Sequence, residues 1–289
     1  MAAARGAEER TAWRQPVDLI ALCQQAGREL PHLFAMSESV RNWSDHVTLS
    51  ESLLGDDPAA IIHALTDAAR DGASPADLGR ALAYAAALRV ARFGTANEHS
   101  DWETAHHVFT YANAVHQALK RIGGEVGTVE AVRGLLHGAM ALYLARYLNV
   151  PSASLPGESG NGLDDLPVAP EEIRAALLDT FDRQQQVGAA ARLVARHLII
   201  GHSPEALIAT LAHALLREDA GFHAYQMLEA GVRQFREWGN CDQGRHILIA
   251  IARYLAAHFP TQRAQLQTAD IASRLTRGGE LHREEQAVG

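Results

Sequence analysis

Apolar residues along this chain recur at spacings of three and four, in stretches of helical length, and no stretch alternates convincingly as a strand would. The pattern predicts helix throughout. Asp57-Pro58 opens a helix to about Arg70, with proline at the first helical position. Ser74-Pro75-Ala76-Asp77 opens the next, to about Arg92. Ser100-Asp101-Trp102-Glu103 fits a capping box for a helix ending near Arg121, and Thr128 fits the cap of a fourth that stops at Asn149-Val150-Pro151. Helices resume at about 171–183, 185–200, 204–217, 220–238 and 241–258. Two short helices are expected in the first 50 residues and one more after Pro260.

The same pattern repeats. The segment from Gly72 to Ala85 lies over Gly201 to Ala214, His106 over His223, and Tyr143-Leu144-Ala145 over Tyr254-Leu255-Ala256, in the same order. A polar loop from Phe93 to Asp101 belongs to the first copy only. The predicted fold is all-α, a single helical bundle built from two pseudo-symmetric, duplicated halves. Its parts are an N-terminal helical cover (1–55), a first half (56–150), a Pro-, Gly- and Ser-rich loop (151–170), a second half (171–260) and a tail (261–289).

Composition narrows the function classes. At 289 residues, with 47% hydrophobic and 21% charged side chains, the balance is that of a folded globular chain. The formal net charge of −8 gives no electrostatic reason to expect nucleic acid or an anionic membrane as partner. Arg5, Arg10 and Arg14 are interleaved with Glu8 and Glu9 and lead into no apolar run, so no secretory signal is expected. The best apolar stretch, Leu135 to Leu148, is broken by His137 and Arg146, which argues against a membrane span. Cys23 and Cys241 cannot build an all-cysteine metal site, and the chain reads as reduced and cytoplasmic. Phosphate-binding glycine loops, a nucleophile elbow and His-Glu-x-x-His are all missing.

What remains is a set of polar side chains inside apolar helices, costly unless they find partners. Trp102, His106, Thr110, Asn113 and Gln117 form one stripe, and Glu103 stands one turn before His106, as in carboxylate-bridged di-iron bundles. Glu103 also completes the Ser100 capping box, which explains it without chemistry. In the second half Asp219, His223 and Gln226 share a face. Asp219 and His223 are spaced to chelate one divalent ion, or to cap the helix and hydrogen-bond in the core. The second Glu-x-x-His step of a symmetric di-iron cage is absent. His137 lies between Gly134 and Gly138, where a ligand or a neighbouring helix approaches closely. Asp242-His246 is a weaker pair, and His32, His46, His63, His258 and His282 fall into no usable arrangement.

The run from Ala81 to Ala118, centred on Phe109-Thr-Tyr-Ala-Asn-Ala-Val-His-Gln-Ala-Leu119, resembles a bacterial helical domain often joined to a Rieske-type iron–sulfur domain. Gly138-Ala-Met140, Leu148-Asn-Val-Pro151 and Leu215 to His223 agree with that resemblance, which covers about residues 55 to 260. It implies electron delivery to a metal or cofactor held by the helices. A Rieske centre needs two cysteine and two histidine ligands, and neither cysteine here is followed by a suitable histidine. The resemblance therefore implies a separate Rieske-type or ferredoxin-like electron donor.

The expectation is a metal-dependent, non-haem-iron-like oxidoreductase or oxygenase. Iron or another divalent metal would be held by Glu103, His106, His116, His137, Asp219 and His223, with Thr110, Asn113, Gln117 and Gln226 orienting ligands or substrate. Haem is a third cofactor reading. The competing expectation is a non-catalytic helical scaffold or partner-binding module whose histidines form a buried hydrogen-bond network.

Overall fold

Side-chain caps set the helix starts. Asp57 accepts from the amides of Ala59 (2.8 Å) and Ala60 (3.3 Å), and Ser74 and Asp77 form a reciprocal capping box, each ahead of a proline. The computed structural model describes residues 17–36, 43–95, 99–122, 125–149, 151–157 and 162–277. Among the described residues there are twelve α-helices and no strand. They are α1 (Leu19–Met36), α2 (His46–Leu53), α3 (Pro58–Arg70), α4 (Pro75–Ala91), α5 (His99–Arg121), α6 (Glu125–Leu144), α7 (Pro170–Phe181), α8 (Val187–Ile199), α9 (Pro204–Leu216), α10 (Phe222–Trp238), α11 (Asp242–His258) and α12 (Ala264–Thr276). A 3-10 turn, Ala145–Leu148, extends α6.

Three boundaries depart from the sequence expectation. The helix α1 is not short, because Leu19, Cys23, Ala26 and Leu30 keep one face in the core and the helix continues through Pro31. The helix α6 starts at Glu125, three residues ahead of Thr128. The helix α5 starts at His99, so Ser100 is already helical and does not stand at its N-cap.

Two helices form the centre. Ala-rich α4 and α11 pack against each other and are buried on nearly every side. A helix apolar around its whole circumference belongs in a core. The helices α1, α2, α3, α5 and α6 gather on the α4 side, and α7, α8, α9 and α10 on the α11 side. One contiguous apolar core runs from Leu19 to Phe259. The tail helix α12 buries none of its residues. No helix among the described residues is long and apolar enough to cross a membrane.

The aligned segments of the two halves occupy different environments. The helix α4 is central, whereas its sequence counterpart α9 lies at the periphery, with Leu216 66% exposed. What the fold does bring together is α5, α10 and α11, which pack mutually.

Candidate metal centre

Glu103, His106 and His107 occupy positions i, i+3 and i+4 of α5 and therefore share one face. His223 meets them from the first turn of α10. The ring centroid of His223 lies 5.2 Å from that of His106 and 4.6 Å from that of His107. One ligand atom from each of Glu103, His106, His107 and His223 can be chosen so that all lie within 4.8 Å of one another. Three imidazoles and a carboxylate at this spacing could hold one divalent ion.

The burial of the four is graded. His106 is fully buried, Glu103 retains 25% side-chain exposure, and His223 retains 42%. His107 is exposed. The cluster thus runs from a deep imidazole to a solvent-facing pair.

The polar atoms of this cluster are unevenly satisfied. The Tyr254 hydroxyl, from α11, donates to Glu103 Oε1 at 2.8 Å. His258 Nε2 lies 3.2 Å from the same oxygen. The other carboxylate oxygen, Oε2, is buried without a hydrogen-bond partner, 3.8 Å from His106 Nδ1 and 3.9 Å from His223 Nε2. Neither ring nitrogen of His106 has a partner at hydrogen-bonding geometry, although the His223 backbone is close by. Buried polar groups in native proteins are nearly always paired. An imidazole without a well-placed partner, beside a carboxylate oxygen without one, offers nitrogen and oxygen atoms that could bind a cation.

Charge supports the same arrangement. Burial pushes the Glu103 carboxyl up, but the Tyr254 hydrogen bond and the flanking His258, His223 and His106 outweigh it, and the group lies below the usual carboxylate range. Burial lowers His106 to about 4, against the pull of Glu103, so the imidazole is neutral and its lone pair available. Gln226 Oε1 lies 3.4 Å from His223 Nδ1, a long contact that favours the tautomer with Nε2 bare toward Glu103.

Glu103, His106 and His223 therefore come together as the sequence suggested, with Gln226 beside them. The carboxylate of Glu103 is turned to α11 rather than back to the helix start. Three of the six expected ligands go elsewhere. His116 lies nearly three turns along α5, where its Nδ1 is 3.1 Å from Gln234 Nε2 and 3.2 Å from Gln234 Oε1, and Gln234 Nε2 donates to Asn113 Oδ1 at 2.8 Å. It is a core histidine, and Asn113 belongs to its network.

Asp219 accepts the amides of Ala264 (2.6 Å) and Gln265 (2.9 Å) and so caps α12, not α10. His137 lines a cleft of about 380 Å³ with Cys23, Gly27, Arg28 and Arg133, between α1 and α6. Its flanking Gly138 serves helix packing, since a Cβ there would stand 2.7 Å from Leu82 and 3.3 Å from Tyr111. Thr110 donates back to the His106 carbonyl at 3.1 Å, and Gln117 lines a surface groove with Tyr225 and Val232.

Sequence reasoning missed His107, Tyr254 and His258. Glu103 and His107 are one turn apart, the spacing that singled out Asp219 and His223, and that signal was present. Tyr254 and His258 share the same i, i+4 spacing, but nothing local connects them to α5. No family model, curated protein or solved structure matches the chain.

Proposed function

We propose that this chain is a metal-dependent oxidoreductase of the non-haem-iron type, with Glu103, His106 and His223 as ligands and His107 at the solvent-facing side. The observation that carries the reading is His106, fully buried with both ring nitrogens unpartnered next to the bare Oε2 of Glu103. Imidazole and carboxylate donors suit iron, manganese or zinc in preference to softer ions. A bound iron would supply redox and oxygen chemistry. The protein's part is to hold the neutral His106 imidazole and one ionised carboxylate at the bundle's edge, with His107 and His223 open to substrate and solvent.

Electrons would come from a separate iron–sulfur protein, a reading supported by the sequence resemblance. A cytoplasmic setting is supported by the two free cysteines. The duplication is supported at one point, the meeting of the counterparts His106 and His223, while the unlike surroundings of α4 and α9 weigh against a strict twofold.

The scaffold reading draws on a different observation, the satisfied Asn113–His116–Gln234 network. Titrating metal-free protein with Fe(II) under anaerobic conditions separates the two. Saturation at one equivalent, with the unfolding midpoint raised by about 5 °C at a hundredfold excess over Kd, and loss of both in His106→Ala, supports the metal centre. No binding by the wild-type chain leaves the scaffold.

A further inference from the structure

Glu103 has two oxygens in two environments. Oε1 faces α11, where it accepts the Tyr254 hydroxyl at 2.8 Å and lies 3.2 Å from His258 Nε2. Oε2 faces the histidines of α5 and α10 and has no hydrogen-bond partner. A carboxylate without such a division can rotate, chelate through both oxygens or swing to solvent.

Tyr254 is itself held in place. Its side chain is 1% exposed, and its ring stacks between His106, at 5.0 Å and 29°, and His258, at 4.1 Å and 30°. His258 Nδ1 donates to the Tyr254 carbonyl at 2.7 Å, one turn back along α11, which directs Nε2 to Glu103. The hydroxyl thus comes from a rigid central helix and not from a loop.

We infer that Tyr254 is a positioning residue for the metal centre, its hydroxyl occupying Glu103 Oε1 so that Oε2 alone is presented to an ion shared with His106 and His223. The inference rests on the metal reading above. Outer partners of this kind fix the orientation of a ligand and are commonly worth a 10- to 100-fold change in metal affinity. His258 shares the task by stacking on the ring.

The test uses the full chain, freed of metal and titrated with Co(II), followed by its visible absorbance. Tyr254→Phe keeps the ring between the two histidines and removes only the hydroxyl. It is expected to weaken Co(II) binding about 10- to 100-fold and to alter the visible bands, because the carboxylate is no longer held to one oxygen. Tyr84→Phe is the control. It removes a hydroxyl placed 2.8 Å from His246 Nδ1, and leaves Co(II) affinity unchanged.

Tyr254→Met deletes the same hydroxyl by another route and carries the test if the phenylalanine variant does not fold. Wild-type affinity and spectrum in the folded Tyr254 variants would overturn the inference while leaving the metal centre intact. A wild-type chain that binds no Co(II) overturns both, and that is seen before any variant is made.

Discussion

Gln234 on α10 meets His116 on α5 with its whole amide group, the oxygen 3.2 Å and the nitrogen 3.1 Å from His116 Nδ1, while the nitrogen also donates to Asn113 at 2.8 Å. Ten residues earlier on α5, His106 is buried to the same degree and has no such side-chain partner. Two histidines of one helix, equally removed from water, have opposite polar surroundings. A satisfied buried imidazole is explained by folding alone. An unsatisfied one costs about 1–3 kcal/mol and calls for something that repays it. That contrast divides the histidine-rich helix into an end whose buried imidazole is satisfied and an end whose buried imidazole is not.

His116 makes stability depend on pH with a definite sign. Burial, reinforced by Lys120 and Arg80 and opposed by Glu237 and Gln234, lowers it from 6.5 to about 4. The folded chain keeps the ring neutral across that interval while the unfolded chain takes up a proton. Its contribution is therefore complete above pH 6.5 and is lost as pH falls toward 4, at about 1.4 kcal/mol per pH unit. Urea unfolding at several pH values should show this slope, and His116→Gln should reduce it by about one proton. An unchanged slope would place the charge of His116 elsewhere.

Asp219 is expected to matter for α12 and not for metal. Asp219→Ala removes the acceptor of the Ala264 and Gln265 amides, a loss of about 0.5–2 kcal/mol for a helix cap. Because α12 buries nothing, that cost appears as local opening, read by faster hydrogen exchange over residues 264–276. Fe(II) affinity stays at the wild-type value. A variant that lost its metal would return Asp219 to the ligand set.

Much of this was legible in the sequence because helix starts are local. Asp57-Pro58 and Ser74-Pro75-Ala-Asp77 carry their caps within four residues, and both begin where the pattern places them. Glu103 and His106 were found because one helical turn joins them. Asp219 misled because its partners, Ala264 and Gln265, lie on a different helix, and no spacing rule reaches that far. Tyr254 was invisible for the same reason: its bond to Glu103 exists only once α11 packs on α5. The equivalence of α4 and α9 rests on the match of Gly72–Ala85 with Gly201–Ala214, but a local match that includes the Ser-Pro start records how a helix begins and not how deeply it is buried.

The close contact between α10 and α11 should be sensitive at Gly231. A Cβ there would stand 2.4 Å from both Cγ1 and Cδ1 of Ile251, which is fully buried. Gly231→Ala is expected to destabilise the fold by about 1–3 kcal/mol. Ile251→Val retains Cγ1 but removes Cδ1, so Gly231→Ala combined with Ile251→Val should recover part of the loss. Additive losses in a double-mutant cycle would show that the two residues do not meet.

The sharpest separation of the two histidines comes from replacing each with leucine. At position 116 the change strips Gln234 of a partner in a buried site, while Asn113 keeps its bond from Gln234, and a loss of about 1–3 kcal/mol is expected. At position 106 no hydrogen bond of good geometry is lost, the nearest approach being the His223 backbone, and an apolar side chain removes a poorly compensated polar group from the core. Metal-free His106→Leu should therefore be at least as stable as the wild type by urea unfolding, and it should no longer respond to Fe(II). His116→Leu should show the reverse, a weaker fold that still binds. If His106→Leu instead unfolds as readily as His116→Leu, both imidazoles are structural, and the case for a metal centre built around His106 fails.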